Sequence, residues 1–162
     1  MSLNTLHATL MVFRLRSEGD LPKWQKILSS LKLKKVRITL RGVGIFPVKP
    51  NTNYTKVLYI KVDGLNDLIH DLVQRAITDN LISESELEHI YLDKKTDTYK
   101  SEQQHLTILK AKGKDIIDAT VYLKNLGKLN IPKPSFSDIR LSMIGSFDGE
   151  GYFDEIVVPV DK

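Results

Sequence analysis

The feature that most limits how this chain can fold is a short apolar run that occurs twice. The runs are His7-Ala8-Thr9-Leu10-Met11 and His105-Leu106-Thr107-Ile108-Leu109. Side chains alternate between the faces of an extended strand, so the histidine and threonine of each run share one face. A single histidine in an apolar run is usually a packed residue with a local partner. Two matching pairs favour the two halves of one site.

The rest of the hydrophobic pattern alternates between strand and helix periods. Apolar residues at helical spacing predict three helices, which begin after Asp20, at residue 63 or 64, and near Asp115. In the first helix Trp24 belongs to the apolar stripe, so we interpret it as a core residue and not as a base-stacking platform. Strands are predicted over residues 6–15, 36–41, 57–62, 105–109, 139–144 and 152–160.

This order of elements indicates one unit, repeated, with a His-x-Thr strand at the head of each copy. It predicts an α+β protein of two pseudo-symmetric antiparallel sheets flanked by helices, with a site in the cleft between them. The predicted lobes are residues 6–80 and 100–160 of a single domain of 162 residues.

The sequence also predicts the local structure of three connecting segments and the exposure of one helical histidine. The glycines in residues 42–47 mark a tight turn or a close approach of backbone to ligand. His70 falls outside the apolar stripe of its helix and is assigned to the solvated face. Residues 83–104 form a long loop, either a lid or a mobile connection. Residues 131–134 form an extended linker.

Composition excludes several classes of site. The chain has no cysteine, so disulfides, zinc–thiolate sites and cysteine nucleophiles are absent, as is usual in a reducing compartment. No apolar run approaches the roughly 18 residues of a membrane span, and no signal-peptide pattern is present. We therefore expect a monomer without membrane association, in the cytoplasm or the nucleus.

Charge is distributed unevenly along the chain. Residues 1–62 carry 12 Lys and Arg against 2 Asp and Glu, a balance of 12 − 2 = +10, whereas residues 63–162 carry 12 against 18, a balance of −6. Such asymmetry suggests an anionic ligand. In the predicted strand over 36–41, Arg37 and Arg41 lie on the face opposite the apolar residues, where an anionic substrate would bind; a solvated sheet face is the alternative.

Two histidines across a cleft can divide acid–base work, one removing a proton and the other supplying one. Neighbouring threonine hydroxyls can donate hydrogen bonds to phosphoryl oxygens. The arrangement resembles that of ribonuclease-type transesterification, which needs no metal and no cofactor. No Gly-x-Ser-x-Gly elbow and no Asp/His metal-ligand pattern point to other hydrolytic chemistry.

The sequence resembles the two-histidine (2H) phosphoesterases, or LigT-like superfamily. Their two His-x-Thr/Ser motifs match residues 7–9 and 105–107, and their glycine-rich turn is similar to residues 41–47. Gly151-Tyr152-Phe153 resembles a hairpin of the A-kinase anchoring protein gamma/delta central domain. The resemblance spans about residues 6–158. Relatives usually have a strand before the first motif, but six residues precede His7, so either that strand is missing or the chain is trimmed.

The resemblance implies a bilobal fold and cleavage of RNA-type phosphodiesters, most directly 2′-5′ oligoadenylates. It assigns His7 and His105 as the acid–base pair and Thr9 and Thr107 as phosphate ligands. Phe46 and Tyr152 are candidate nucleobase contacts, with simple packing as the alternative. The alternatives are a non-catalytic AMP-binding or nucleotide-binding module of a larger scaffold protein, and a phosphodiesterase acting on cyclic dinucleotides or RNA 3′ ends. The expected partner is an oligonucleotide or a nucleotide in each case.

Overall fold

A computed structural model of the chain describes residues 6–101, 104–147 and 152–160. Its helices are α1 (Leu21–Ser30), α2 (Asn66–Thr78) and α3 (Thr120–Leu126). Its strands are β1 (Thr39–Pro47), β2 (Tyr54–Asp63), β3 (Ile90–Asp93), β4 (Thr98–Ser101), β5 (His105–Lys110), β6 (Ile117–Asp118), β7 (Asn130–Pro132), β8 (Asp138–Phe147) and β9 (Tyr152–Pro159). The strand pairs are antiparallel, so the predicted α+β class with antiparallel sheets is confirmed.

The first two helices form where the apolar stripes predict them. In α1, Pro22 lies in the first turn and Trp24 is buried and stacks on Phe13, with ring centroids 4.4 Å apart. The prediction that Trp24 is a core residue is therefore confirmed. The third helix begins at Thr120, later than predicted, because residues 117–118 pair with β2 instead. No helix within the described residues is long and apolar enough to cross a membrane.

The chain divides into two compact units. The first unit contains residues 6–9, 38–63 and 104–134, and the second contains residues 10–37, 64–101, 135–147 and 152–160. The predicted lobes, residues 6–80 and 100–160, group the chain differently. The cause is strand pairing between distant segments: β2 pairs with β5, and β1 pairs with β7.

The first unit is built on a five-stranded antiparallel sheet. Its main path runs β5-β2-β1-β7, and β6 also pairs with β2. One face of the sheet packs against α3 through a core of buried and half-buried residues: Val43, Ile45, Leu58, Ile60, Ile108, Ala119, Leu123 and Leu126. Because side chains alternate along each strand, this apolar face leaves Lys61 and Asp63 of β2 and His105 and Thr107 of β5 on the opposite face.

The predicted strand over residues 6–15 is wrong. This segment makes two isolated antiparallel bridges, Ala8 with Leu106 and Val12 with Glu88. The first bridge lies in the first unit and the second bridge in the second unit. The segment therefore changes partner between the bridges and does not extend one ladder. Residues 1–5, where the family's additional strand was considered, lie outside the described residues.

Residues 42–47 do not form a tight turn. They continue β1, and the ladder with β2 is interrupted by a β-bulge between Leu40 and Val43, where Gly42 has a φ of 69°. A positive φ at a bulge suits glycine because it lacks a Cβ. A bulge within one strand and a turn between two strands have similar glycine signatures, which explains the error.

Two predicted connections are strands. Residues 90–101 of the supposed loop form the β3–β4 hairpin in the second unit, which packs on α2. Residues 130–132, which include the first two residues of the predicted linker, form β7 at the edge of the first unit's sheet, where prolines are tolerated. The β8–β9 hairpin agrees with the prediction, and its turn, residues 148–151, lies outside the described residues.

The assignment of His70 to the solvated face is wrong. His70 is half-buried on α2, and its Nδ1 accepts a hydrogen bond of 3.0 Å from the backbone N–H of Tyr99 on β4. The Tyr99 hydroxyl donates a 2.8 Å hydrogen bond to Glu84. Burial, followed by this hydrogen bond, raises the pKa of Tyr99 to about 12. His70 therefore joins a helix to a hairpin in the second unit.

Candidate active site

The two His-x-Thr motifs lie next to each other in the first unit. Ala8 pairs with Leu106 in an antiparallel bridge, so the residues that flank this pair oppose each other crosswise: His7 with Thr107, and Thr9 with His105. Leu106 also pairs with Ile60, which packs toward α3. The two histidines and two threonines consequently share the sheet face away from α3.

These four residues, His7, Thr9, His105 and Thr107, are called the His–Thr quartet below. The motifs were expected to come from opposite lobes across a cleft. In the structure both motifs belong to one compact unit and are joined by a backbone bridge. His7 and Thr9 are exposed, and His105 and Thr107 are half-buried. Two imidazoles and two hydroxyls, groups that can donate and accept hydrogen bonds, thus lie on one surface.

Two aromatic rings surround His105. The ring centroid of Tyr59 lies 4.9 Å from that of His105, and the Phe46 ring meets His105 edge-on at 5.2 Å. Phe46 and Tyr59 also contact each other, with their centroids 4.7 Å apart. Aromatic pairs at these separations are mutually stabilising. The packing restricts how the imidazole of His105 can rotate, and so helps to fix the direction of its ring nitrogens.

Tyr59 can occupy this position because it faces a glycine. It is opposite Gly44 on β1 and Thr107 on β5, and only 2% of its surface is exposed. A Cβ placed on Gly44 would lie 2.5 Å from Cε2 of Tyr59. The glycine was predicted to allow close approach of backbone to a ligand, and the close approach that the structure shows is to this ring. Tyr59 was missed because it resembles an ordinary strand residue; a glycine inside a strand was the available signal.

Comparison with known families decides the relationship. The sequence profile of the AKAP7 2′5′ RNA ligase-like domain matches residues 1–158, nearly the whole chain. The chain belongs to this family. It is therefore a member of the AKAP7-like branch of the 2H phosphoesterases. No curated protein sequence is significantly similar to it.

Of the aromatic residues that the family resemblance assigns to the nucleobase, Phe46 lies beside the quartet. Its side chain contacts His105 and is 43% exposed, so one part of the ring is packed and another is accessible. A contact with a base stays a prediction. Tyr152 begins β9 in the second unit, and its side chain lies outside the described residues.

The two arginines that were predicted to flank the substrate differ in placement. Arg37 precedes β1 and belongs to the second unit, where its Nη1 donates to the backbone oxygens of Lys34 (2.6 Å) and Val36 (3.1 Å). The sheet face predicted for Arg37 is wrong, because the strand begins later than residue 36. Arg41 lies in β1, is exposed, and its Nε is 3.6 Å from Oδ2 of Asp63.

Arg41 shares the face of the quartet. Thr39 is opposite Asp63 in the register, and Arg41 follows two residues later. On β2, Asp63, Lys61 and Tyr59 alternate onto this same face, and Lys61 is directly opposite His105. The quartet therefore lies on a surface that carries positive charge. Within the described residues, no group of three or more His, Cys, Asp or Glu is arranged to hold a metal ion.

Proposed function

We propose that this protein is a metal-independent phosphodiesterase that cleaves RNA-type phosphodiester bonds, with 2′-5′ oligoadenylates as its leading substrates. The observation that carries the proposal is the Ala8–Leu106 bridge, which brings two histidines and two threonines onto one sheet face. Membership of a 2H phosphoesterase family supports the chemistry, and the 2′5′ linkage in the family's description supports the substrate class.

The reaction follows from what the quartet can do. One histidine, neutral, takes the proton of the ribose 3′-hydroxyl while that oxygen attacks the adjacent phosphorus. The other histidine, protonated, donates a proton to the leaving 5′-oxygen as its bond to phosphorus breaks. The products are a 2′,3′-cyclic phosphate and a free 5′-hydroxyl. Hydroxyl groups of Thr9 and Thr107 donate hydrogen bonds to the non-bridging oxygens, where negative charge increases in the transition state.

Substrate binding is the second requirement. Arg41 and Lys61 place positive charge on the quartet face, which favours an anionic ligand. The accessible part of Phe46 can stack with a base, a contact that does not distinguish between bases strongly. We therefore expect selectivity to come from the 2′-5′ linkage more than from the base.

The proposal is tested with a panel of 2′-5′ and 3′-5′ oligonucleotides, cyclic dinucleotides and AMP, all assayed in EDTA. We expect cleavage of the 2′-5′ oligoadenylates, and a loss of about 10²- to 10⁴-fold in kcat for His7→Ala and for His105→Ala. His89→Asn is the matched control: His89 is exposed in the second unit with a φ of 59°, a conformation that asparagine tolerates.

Three results would contradict the proposal. They are full turnover by His7→Ala or His105→Ala, a requirement for a divalent metal, and binding of AMP without turnover of any phosphodiester. The last result would instead support a nucleotide-binding module of a scaffold protein. Cleavage restricted to cyclic dinucleotides or RNA 3′ ends would be consistent with the proposed reaction but would contradict 2′-5′ oligoadenylates as its substrates.

A further inference from the structure

Lys61 lies beside the quartet but is not one of its members. In the register of β2 and β5 it is the direct partner of His105, and the side chains of directly opposite residues point to the same side of a sheet. Lys61 is exposed, on the face that also carries Thr107. Its ammonium is therefore available to a ligand that occupies the quartet.

Asp63, two residues along β2 on the same face as Lys61, interacts with Arg41 and not with Lys61. Arg41, another cation on this face, has Asp63 within 3.6 Å. In the part of the chain that the structure describes, no hydrogen bond or ion pair engages the Lys61 ammonium. A compact, strongly hydrated ammonium on a flexible stem is well suited to bind a phosphate as a point charge.

The order of residues across the face indicates which phosphate Lys61 would bind. Thr9, His105 and Lys61 follow one another on adjacent segments, about 4.8 Å apart at each step. A scissile phosphorus must lie between the two histidines, which is on the side of His105 away from Lys61. Lys61 is thus on the side of His105 that faces away from the reacting centre.

We infer that Lys61 binds the phosphate adjacent to the scissile one, so that the protein prefers oligonucleotides with at least two internucleotide phosphates. This inference rests on the proposed phosphodiesterase function and names a second substrate subsite. A dinucleoside monophosphate would occupy the quartet alone, whereas a trinucleotide would also engage Lys61. The preference is a matter of binding, since Lys61 does not touch the bond that breaks.

The experiment compares two 2′-5′ adenylates whose 3′-hydroxyls are methylated, so that they bind without being cleaved. One is a dimer with one internucleotide phosphate and the other a trimer with two; neither has a terminal phosphate. Affinities are measured by fluorescence anisotropy. For Lys61→Met we expect a loss on the order of tenfold for the trimer and less than about twofold for the dimer. The salt dependence of trimer binding, d log K/d log[salt], should become shallower by about 0.7.

Two further variants complete the design. Lys61→Arg should retain the preference for the trimer because it keeps the charge. Lys124→Met is the matched control, since Lys124 is exposed on α3, which packs on the opposite face of the sheet. It should bind both adenylates as the unmodified protein does.

Equal losses for dimer and trimer with Lys61→Met, or an unchanged affinity for the trimer, would overturn the inference. The phosphodiesterase proposal is judged separately, by whether the unmodified protein cleaves the unmethylated dimer. The two failures are therefore distinguishable: one is an absence of cleavage, and the other an absence of a length-dependent effect of Lys61 on binding.

Discussion

The surroundings of His105 depend on a residue that has no side chain. Gly44 leaves the space that the ring of Tyr59 fills, and Tyr59 in turn packs against His105. Each contact is steric, and cores respond to added volume by moving side chains out of their preferred rotamers. Gly44 is therefore a positioning residue for His105, although it touches neither the imidazole nor a substrate.

We predict that Gly44→Ala lowers kcat more than tenfold and destabilises the fold by about 1–3 kcal/mol, because the added methyl group would lie 2.5 Å from Tyr59. Steady-state kinetics across pH and thermal unfolding measure the two effects. Gly19→Ala is the control, since Gly19 lies in the second unit and a Cβ there would have the Ser17 hydroxyl as its nearest neighbour, at 3.3 Å. Wild-type kcat with a lowered melting temperature would show that Tyr59 is a packing residue alone.

The quartet and its aromatic neighbours differ in how far the sequence predicts them. His7 and His105 were identifiable because a repeated His-x-Thr pattern is visible without knowing which strands pair. Tyr59 was not, because its role depends on a register that sets it against Gly44 and His105. Arg37 was wrongly placed on the sheet because β1 begins only at Thr39, so Arg37 belongs to the segment before the strand.

Among the elements, α2 and β4 are joined by a hydrogen bond from a backbone group. The Tyr99 N–H donates to Nδ1 of His70, so removing the acceptor leaves a buried donor unsatisfied. We predict that His70→Leu destabilises the protein by about 1–3 kcal/mol. His70→Asn should retain most of the stability, because its side-chain oxygen can accept at a similar position. Urea unfolding measures both variants, and equal losses would argue against a specific role for the acceptor.

In the β8–β9 hairpin, Arg140 is hydrogen-bonded to two carboxylates. Arg140 donates to both carboxylate oxygens of Asp138, at 2.7 and 2.9 Å, and its Nη1 donates to Asp154 at 2.7 Å. The hydrogen bonds from Arg140 hold the pKa of Asp138 below its ordinary 3.8. A lowered folded-state pKa contributes stability that is present above pH 3.8 and is lost as pH falls through the folded value.

Arg140→Met should therefore flatten the fall in stability between about pH 4 and pH 2. Since the Arg140 side chain is 46% exposed, solvent screening limits the effect to about 1 kcal/mol or less. Chemical unfolding at a series of pH values measures it, with Arg14→Met as the exposed-arginine control. If the free energy of unfolding of Arg140→Met fell with acid as it does in the unmodified protein, the interaction of Arg140 with Asp138 would not couple folding to pH.

Strand and helix identities could be predicted where the signal is local. The stripe of α2 lies within 13 consecutive residues, and the alternation of β8 and β9 lies within one hairpin. The bulge at Gly42 and the strand β7 could not be distinguished from a turn and a linker. Both are defined by partners elsewhere, since Gly42 donates its N–H to Leu129 and β7 pairs with β1.

For the whole molecule, the division into two units was beyond prediction from sequence order. The first unit takes its described residues from three separate segments, 6–9, 38–63 and 104–134. A repeat of similar elements along the chain suggested two consecutive lobes, but antiparallel pairing of β2 with β5 assigns the second motif to the same unit as the first. The fold class can be predicted from the periodicity of apolar residues. The grouping of segments into units cannot, because it depends on which distant strands pair.

The Ala8–Leu106 bridge also has a consequence for how the protein is made. It joins residues 106 − 8 = 98 positions apart, so the closing of this contact must await nearly two thirds of the chain. Contacts of such long sequence separation form slowly because a large loop has to close first. A nascent chain that ends before residue 107 would contain His7 but not Thr107, the residue opposite it. Recovery of turnover after dilution from denaturant would accordingly time the closure of this contact.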